Sequence, residues 1–240
     1  MSFQGFGPDA LPFFKALAFH QTREWFEANR ATYESAVKGP FGDLVEDVAA
    51  QLGKARIPLA GDRKSSLFRI HRDVRFSASK DPYKTHAGAV LTRSGAKNDP
   101  GVIYFHLSPD GCFFGAGFHM PDPDQLARLR GAAARAPKAF RAMSAKLRKA
   151  GLALSDEDSL KRAPRGFEAV EDPEIAAAVR LKSFVCDRLV AAKAVRSPAL
   201  ADEFVAFARD ALPMLTWGWD ALKDVRDSPR SIRAGSRGRA

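Results

Sequence analysis

The sequence predicts a single α+β domain with a mainly antiparallel sheet, and three observations carry that prediction. Apolar residues recur at helical spacing up to residue 52 and again from about residue 123. Between these regions the period falls to two, and a Ser108-Pro109-Asp110-Gly111 turn joins two of the alternating runs. Helices that flank a block of consecutive strands, instead of alternating with them, belong to a sheet covered by segregated helices. With 240 residues and a 45% hydrophobic composition, the chain is long and apolar enough for one large core.

Taken in order, Leu11, Phe14, Leu17 and Ala18 form a first helical stripe, which Trp25, Phe26, Tyr33, Val37, Leu44, Val45, Val48 and Leu52 continue. Thr22 is placed to cap the second helix, Gly39-Pro40 to interrupt or restart it, and Gly53 to end it. In residues 67–76, Phe68, Ile70, Val74 and Phe76 alternate with Arg69, His71, Asp73 and Arg75, the pattern of a half-buried strand. Arg72 falls on the apolar side, which requires a bulge or a partnered guanidinium. Residues 85–92, 102–107 and 112–120 are three further strand candidates. Helices follow from Met120-Pro121-Asp122, broken near Pro137 and ended by Gly151, and a last helix opens at Ser197-Pro198 with a kink expected at Pro213. Residues 181–190 fit either a strand or a helix.

The turn fixes a register. Proline suits its second position and glycine accepts positive φ, so Leu107 is expected to pair with Cys112. Ile103, Phe105, Leu107, Cys112, Phe114, Ala116 and Phe118 then share the core face. Val102, Tyr104, His106, Phe113, Gly115, Gly117 and His119 share the other, whose glycines leave its floor open.

The formal charge is +10. Residues 223–240 contribute six basic side chains against two acidic ones and only one late apolar residue, Ile232, so the expected division is a domain over 1–222 and a flexible basic tail over 223–240. Affinity for nucleic acid through that tail would follow from charge alone. The two cysteines, Cys112 and Cys186, read as small apolar residues and fit a reducing cytoplasm. No apolar run approaches the roughly 20 residues of a membrane span, and Met1 to Gly7 lack the features of a signal peptide, so neither membrane insertion nor secretion is expected.

The densest polar cluster is Arg69, His71, Arg72, Asp73, Arg75, Lys80, Tyr83, Lys84 and His86. Planar guanidinium groups and point-charge ammoniums together suit a carboxylate or phosphate. Two readings stand side by side: an anion site, or a solvated charged face in which Asp73 and Asp81 neutralise neighbouring arginines. His71, His86, His106 and His119 fall in or beside the strand block, where imidazoles suit proton transfer. No tight histidine pair marks a metal site, and the serine elbow, Walker loop and dinucleotide fingerprint are missing, so no metal or cofactor is expected. Lys161, Arg162 and Arg165 surround a Pro164 and Gly166 loop that reads either as a lid on an anion pocket or as plain surface.

Several of these segments resemble the domain of unknown function 2461 family of bacterial and fungal proteins. The resemblance covers about Phe3 to Trp219 and rests on Glu24-Trp25-Phe26 with Tyr33-Glu34, on Arg69 through Arg72-Asp73-Val74-Arg75-Phe76-Ser77 to Lys80-Asp81-Pro82-Tyr83-Lys84-Thr85-His86, on the hairpin over 104–121, and on Pro164-Arg165-Gly166-Phe167. It implies a shared polar site at Arg72, Asp73, Arg75, Lys80, Tyr83 and Lys84 and supplies no reaction. The chain departs from the family pattern at His20-Gln21-Thr22, where asparagines are usual, and at His71, where a tyrosine is common, so no proton-transfer role carries over to His71.

The leading expectation is therefore an anionic small-molecule ligand, plausibly phosphate-bearing, on the polar side of the sheet. Arg69, Arg72, Arg75, Lys80, Lys84, His106 and Arg165 would hold it and Tyr83 would orient it. Were the protein an enzyme, Asp73, His86 or His106 would be its base and the arginines would stabilise developing negative charge without a metal. A nucleic-acid or regulatory module is the second reading. The third is an internal Arg72, Asp73 and Tyr83 network that fixes the sheet to the helices.

Overall fold

The computed structural model describes residues 2–75 and 80–223. The predicted strand residue Phe76 and the basic tail beyond Lys223 lie outside the described residues. Helix α1 (Ala10–Phe19) is followed by α2 (Arg23–Ala28), which the Thr22 hydroxyl caps by accepting the Trp25 N–H at 3.2 Å. Helix α3 (Arg30–Thr32) passes into a π-helical turn at Tyr33–Lys38 before α4 (Gly39–Lys54) takes over, so Gly39-Pro40 does mark the restart of an α-helix. Strands β1 (Ala87–Thr92), β2 (Val102–Leu107) and β3 (Cys112–Phe118) come next. Helices α5 (Pro123–Arg135), α6 (Pro137–Lys149) and α7 (Pro173–Ala178) precede β4 (Phe184–Val190), and α8 (Ala192–Val195) and α9 (Leu200–Lys223) close the chain. Helix α9 continues through Pro213. Residues 181–190, ambiguous in sequence, are thus mostly strand.

The sheet is antiparallel in the order β1-β2-β3-β4. Val102 faces Gly117 and His106 faces Phe113, the register the hairpin turn dictates. Its inner face is the core: Ile103, Phe105, Leu107, Phe114, Ala116 and Phe118 are all buried. Phe114 stacks on Phe204 of α9 with ring centroids 4.7 Å apart, and Phe105 packs on Phe41 of α4 at 5.4 Å. Fully buried phenylalanines stabilise by about 1.5–3 kcal/mol each, so this layer dominates the stability of the fold. The helices cover only this face. Gly117 has φ +128, and a Cβ there would sit 2.1 Å from the Phe184 carbonyl oxygen, so only glycine lets β3 and β4 approach as they do.

The expected strand over 67–76 is corrected by the structure. The segment runs along the free side of β1 through isolated bridges only, Leu67 with Ala89 and His71 with Tyr83. Around the first bridge, Phe68 N–H donates to Gly88 O at 2.9 Å and Val90 N–H to Ser66 O at 3.2 Å. Around the second, Lys84 N–H donates to Ile70 O at 2.9 Å and Arg72 N–H to Pro82 O at 2.8 Å. Between these pairs, Arg69 alone on one side opposes Thr85, His86 and Ala87 on the other. The partner strand therefore bulges, which breaks the ladder and re-aims His86. Pro82 has no N–H to return the bond from Arg72, so the pairing does not extend past this bridge.

Candidate functional site

Among the described residues no helix covers the outer face of the sheet, which forms the floor of a hollow of about 960 Å³. Strand alternation sets its rows. Val90, Tyr104, Gly115 and Asp187 lie on one rung from β1 to β4, and Gly88, His106, Phe113 and Leu189 on the next. Gly88 makes room for Tyr104, because a Cβ at that position would come within 2.5 Å of the phenol ring. Gly115 leaves the middle of the floor uncovered.

Tyr104 and His106 project from β2 on this face, and the tyrosine hydroxyl and His106 Nδ1 share a hydrogen bond of 2.9 Å. The imidazole of His106 lies between His86, 4.6 Å away, and Phe113, 4.8 Å away and nearly parallel. Burial pushes His106 down to about 4, helped by the charge of His86 and opposed by Asp110, so the ring is neutral at pH 7. His86 is lowered too, by burial first and then by Lys84 and Arg72. Burial pushes Tyr104 up to about 12, which keeps the phenol protonated. Held at about 4, His106 is a weak base and serves as a hydrogen-bonding group beside the phenol, and the neighbouring cations can stabilise negative charge.

Those cations stand at the β1 side. Lys84 and Arg69 line the hollow with Lys97, which comes from the loop between β1 and β2. The ammonium of Lys84 donates to Arg69 O at 3.1 Å and that of Lys97 donates to Leu67 O, and the two hover over the same Phe68 ring at 5.6 and 5.4 Å. Burial lowers the Lys84 pKa, as do the charges of Arg69, Lys97 and Arg72. Among the described residues no ion pair joins Arg69, Lys84 or Lys97 to a carboxylate. The positive charge here is crowded, and Asp99, a carboxylate lining the hollow from the same loop as Lys97, accepts the Ser94 N–H at 2.9 Å.

The remaining predicted residues lie elsewhere. Tyr83 does not line the hollow: its ring is buried, stacked on Phe26 of α2 at 4.5 Å, and its N–H donates to Gln21 Oε1 at 3.1 Å. His71 packs on the same tyrosine at 5.1 Å, so the bulge splits one dense stretch of sequence into two neighbourhoods. Asp73 is gripped by Arg75 through Nε at 3.0 Å and Nη2 at 2.7 Å, and this contact holds its carboxyl below the usual range, which makes it a poor base. Lys80 is exposed and donates to Val74 O at 3.0 Å. Arg72 is half-buried, and its charge reaches Lys84 and His86 although it does not line the hollow. Arg165 is exposed in the 161–167 loop, which does not border the hollow. Among the described residues, no side-chain hydrogen bond or ion pair joins Arg72, Asp73 and Tyr83 into one network. Tyr83 is structural through its ring, and Asp73 is tied to Arg75.

Sequence reasoning missed Lys97, which nothing in its Ala96-Lys97-Asn98 context marks. It also missed the carboxylates at the far side, Asp122, Glu157 and Asp187, which come from three separate segments. Among the described residues, no three His, Cys, Asp or Glu side chains converge as metal ligands, and no helix is long and apolar enough to cross a membrane.

The model of one protein family, conserved hypothetical protein (DUF2461), matches residues 9–217, a span that includes every residue of the hollow. No curated protein and no solved structure matches the chain.

Proposed function

We propose that this chain, which belongs to the DUF2461 family, binds a small organic anion in the hollow on the open face of its sheet. The observation that carries this reading is the set of Arg69, Lys84 and Lys97 around Phe68, without a carboxylate partner among the described residues. Holding like charges together, one of them partly desolvated, costs free energy that a bound anion offsets. Phosphate is the best match, because ammoniums and a guanidinium can share its oxygens. His86 and His106 flank the same end as neutral hydrogen-bonding groups, with Tyr104 beneath. The β4 side carries carboxylates, which favours a compact ligand over a nucleic-acid strand laid across the face. We place the protein in the cytoplasm, since Cys112 and Cys186 are buried, unpaired thiols of the kind a reducing compartment preserves.

The test is a thermal-shift and calorimetric titration with inorganic phosphate, glucose 6-phosphate and adenosine monophosphate, on the protein and on Lys84→Gln. Ligand at a hundredfold over its Kd should stabilise by about 2.7 kcal/mol. Lys84→Gln should weaken binding about tenfold, the worth of one charge-assisted bond. Flat titrations with all three, or affinity indifferent to Lys84→Gln, would overturn the assignment.

A further inference from the structure

We infer that the ligand is a zwitterion, with its anionic head at the β1 side of the hollow, an apolar middle over the glycine-cleared floor, and a cationic amino group at the β4 side. The inference rests on the anion reading above and extends it to the substrate class. Charge is polarised across the sheet, apart from Asp99, which lines the hollow from the same loop as Lys97 and accepts the Ser94 N–H at 2.9 Å. Arg69, Lys84 and Lys97 belong to the β1 edge, while Asp187 lies on β4 and Glu157 follows Ser155, whose N–H donates to Val185 O of the same strand at 2.8 Å. Neither Asp187 nor Glu157 forms an ion pair among the described residues. Three strand spacings separate β1 from β4, so the two poles are about 14 Å apart. Gly115 puts no side chain on the floor between Tyr104 and Asp187.

The rim supplies the second argument. The large hydrophobic side chains most exposed among the described residues are Phe19, Leu189, Met120 and Phe68, and the last three, at 80%, 73% and 40%, all border the hollow. Apolar groups gathered at the mouth of a cavity mark a surface that a ligand's apolar body covers. Opposite poles then set the direction of binding. A long dianion would drive its second charge against Asp187 and Glu157, whereas an amine-terminated anion satisfies both ends.

Calorimetry at low ionic strength, where surface charges are least screened, decides this with inorganic phosphate, hexyl phosphate and 6-aminohexyl phosphate. Hexyl phosphate should bind more tightly than inorganic phosphate, and 6-aminohexyl phosphate about fivefold more tightly again, the upper range for a solvent-exposed ion pair. Asp187→Asn, at an exposed position, should abolish that fivefold gain and leave hexyl phosphate unchanged. If the amine confers no advantage while hexyl phosphate still binds, the zwitterion is wrong and the anion site stands. If none of the three binds, the anion site itself falls.

Discussion

Phe114 and Phe113 are neighbours in sequence and face opposite sides of β3. The first is buried against Phe204 and Phe207 of α9; the second is half-exposed and stacks on His106 at the floor of the hollow. The same contrast holds on β2 between Phe105, enclosed by Phe41 and Phe204, and Tyr104, whose hydroxyl is spent on an imidazole. Period-two geometry lets four short strands separate two tasks, since the inner set of residues supplies the stability that the outer set does not. The outer face retains glycines, polar rings and unpaired charge because the helices on the other side make them tolerable.

Three experiments bear on this division. The largest effect belongs to the inner face: Phe114→Ala should cost about 3–5 kcal/mol in urea unfolding, because the cavity it leaves between sheet and helix cannot close. A loss below about 1 kcal/mol would mean that the two faces differ less in energetic weight than their burial implies. Gly88→Ala attacks the outer face through crowding. The new methyl would stand 2.4 Å from the Tyr104 hydroxyl, forcing the ring off the floor and away from His106, at an expected cost of about 1–3 kcal/mol. The near-ultraviolet tyrosine signal should change with it, and an unaltered signal would show that the ring has another resting place.

The smallest effect is a pH dependence. His106 titrates lower in the folded protein, at about 4, than in the unfolded chain, near 6.5. Between those values the unfolded chain binds more protons, so the contribution is complete above pH 6.5 and is lost as pH falls toward 4. The loss should amount to about 1–2 kcal/mol, below what the whole shift implies because solvent screens a half-buried ring. His106→Phe should flatten the pH profile of unfolding over that window. An identical profile in the variant would assign the dependence to other groups.

The contrast between faces was legible in the sequence, and the clustering of charge was only partly so. Alternation from Val102 to Leu107 and from Cys112 to Phe118, with Pro109 and Gly111 fixing the turn, determined the register and the membership of each face. Residues 67–76 alternate just as well, and yet 67–75 do not make a regular strand. A slip in hydrogen bonding between Phe68 with Gly88 and Ile70 with Lys84 leaves the polar and apolar order untouched, so no pattern reveals it. That slip sends Lys84 and His86 to the hollow and leaves Tyr83 against Phe26, dividing what looked like one cluster. Asp122, Glu157 and Asp187 come to line one hollow through the return of β4 beside β3, a long-range pairing that local spacing does not encode.

The strip over residues 60–72 also does a quieter job. Ala60 and Thr92 exchange backbone bonds at 2.7 and 3.0 Å, and Ser66 and Phe68 take up the amide of Val90 and the carbonyl of Gly88, so the outer margin of β1 offers no bare row of donors and acceptors. A foreign strand arriving there finds the seats occupied and a fringe of lysine and arginine in its way. The irregular hem that lends the hollow its cations thus also leaves this edge of the sheet closed to another strand.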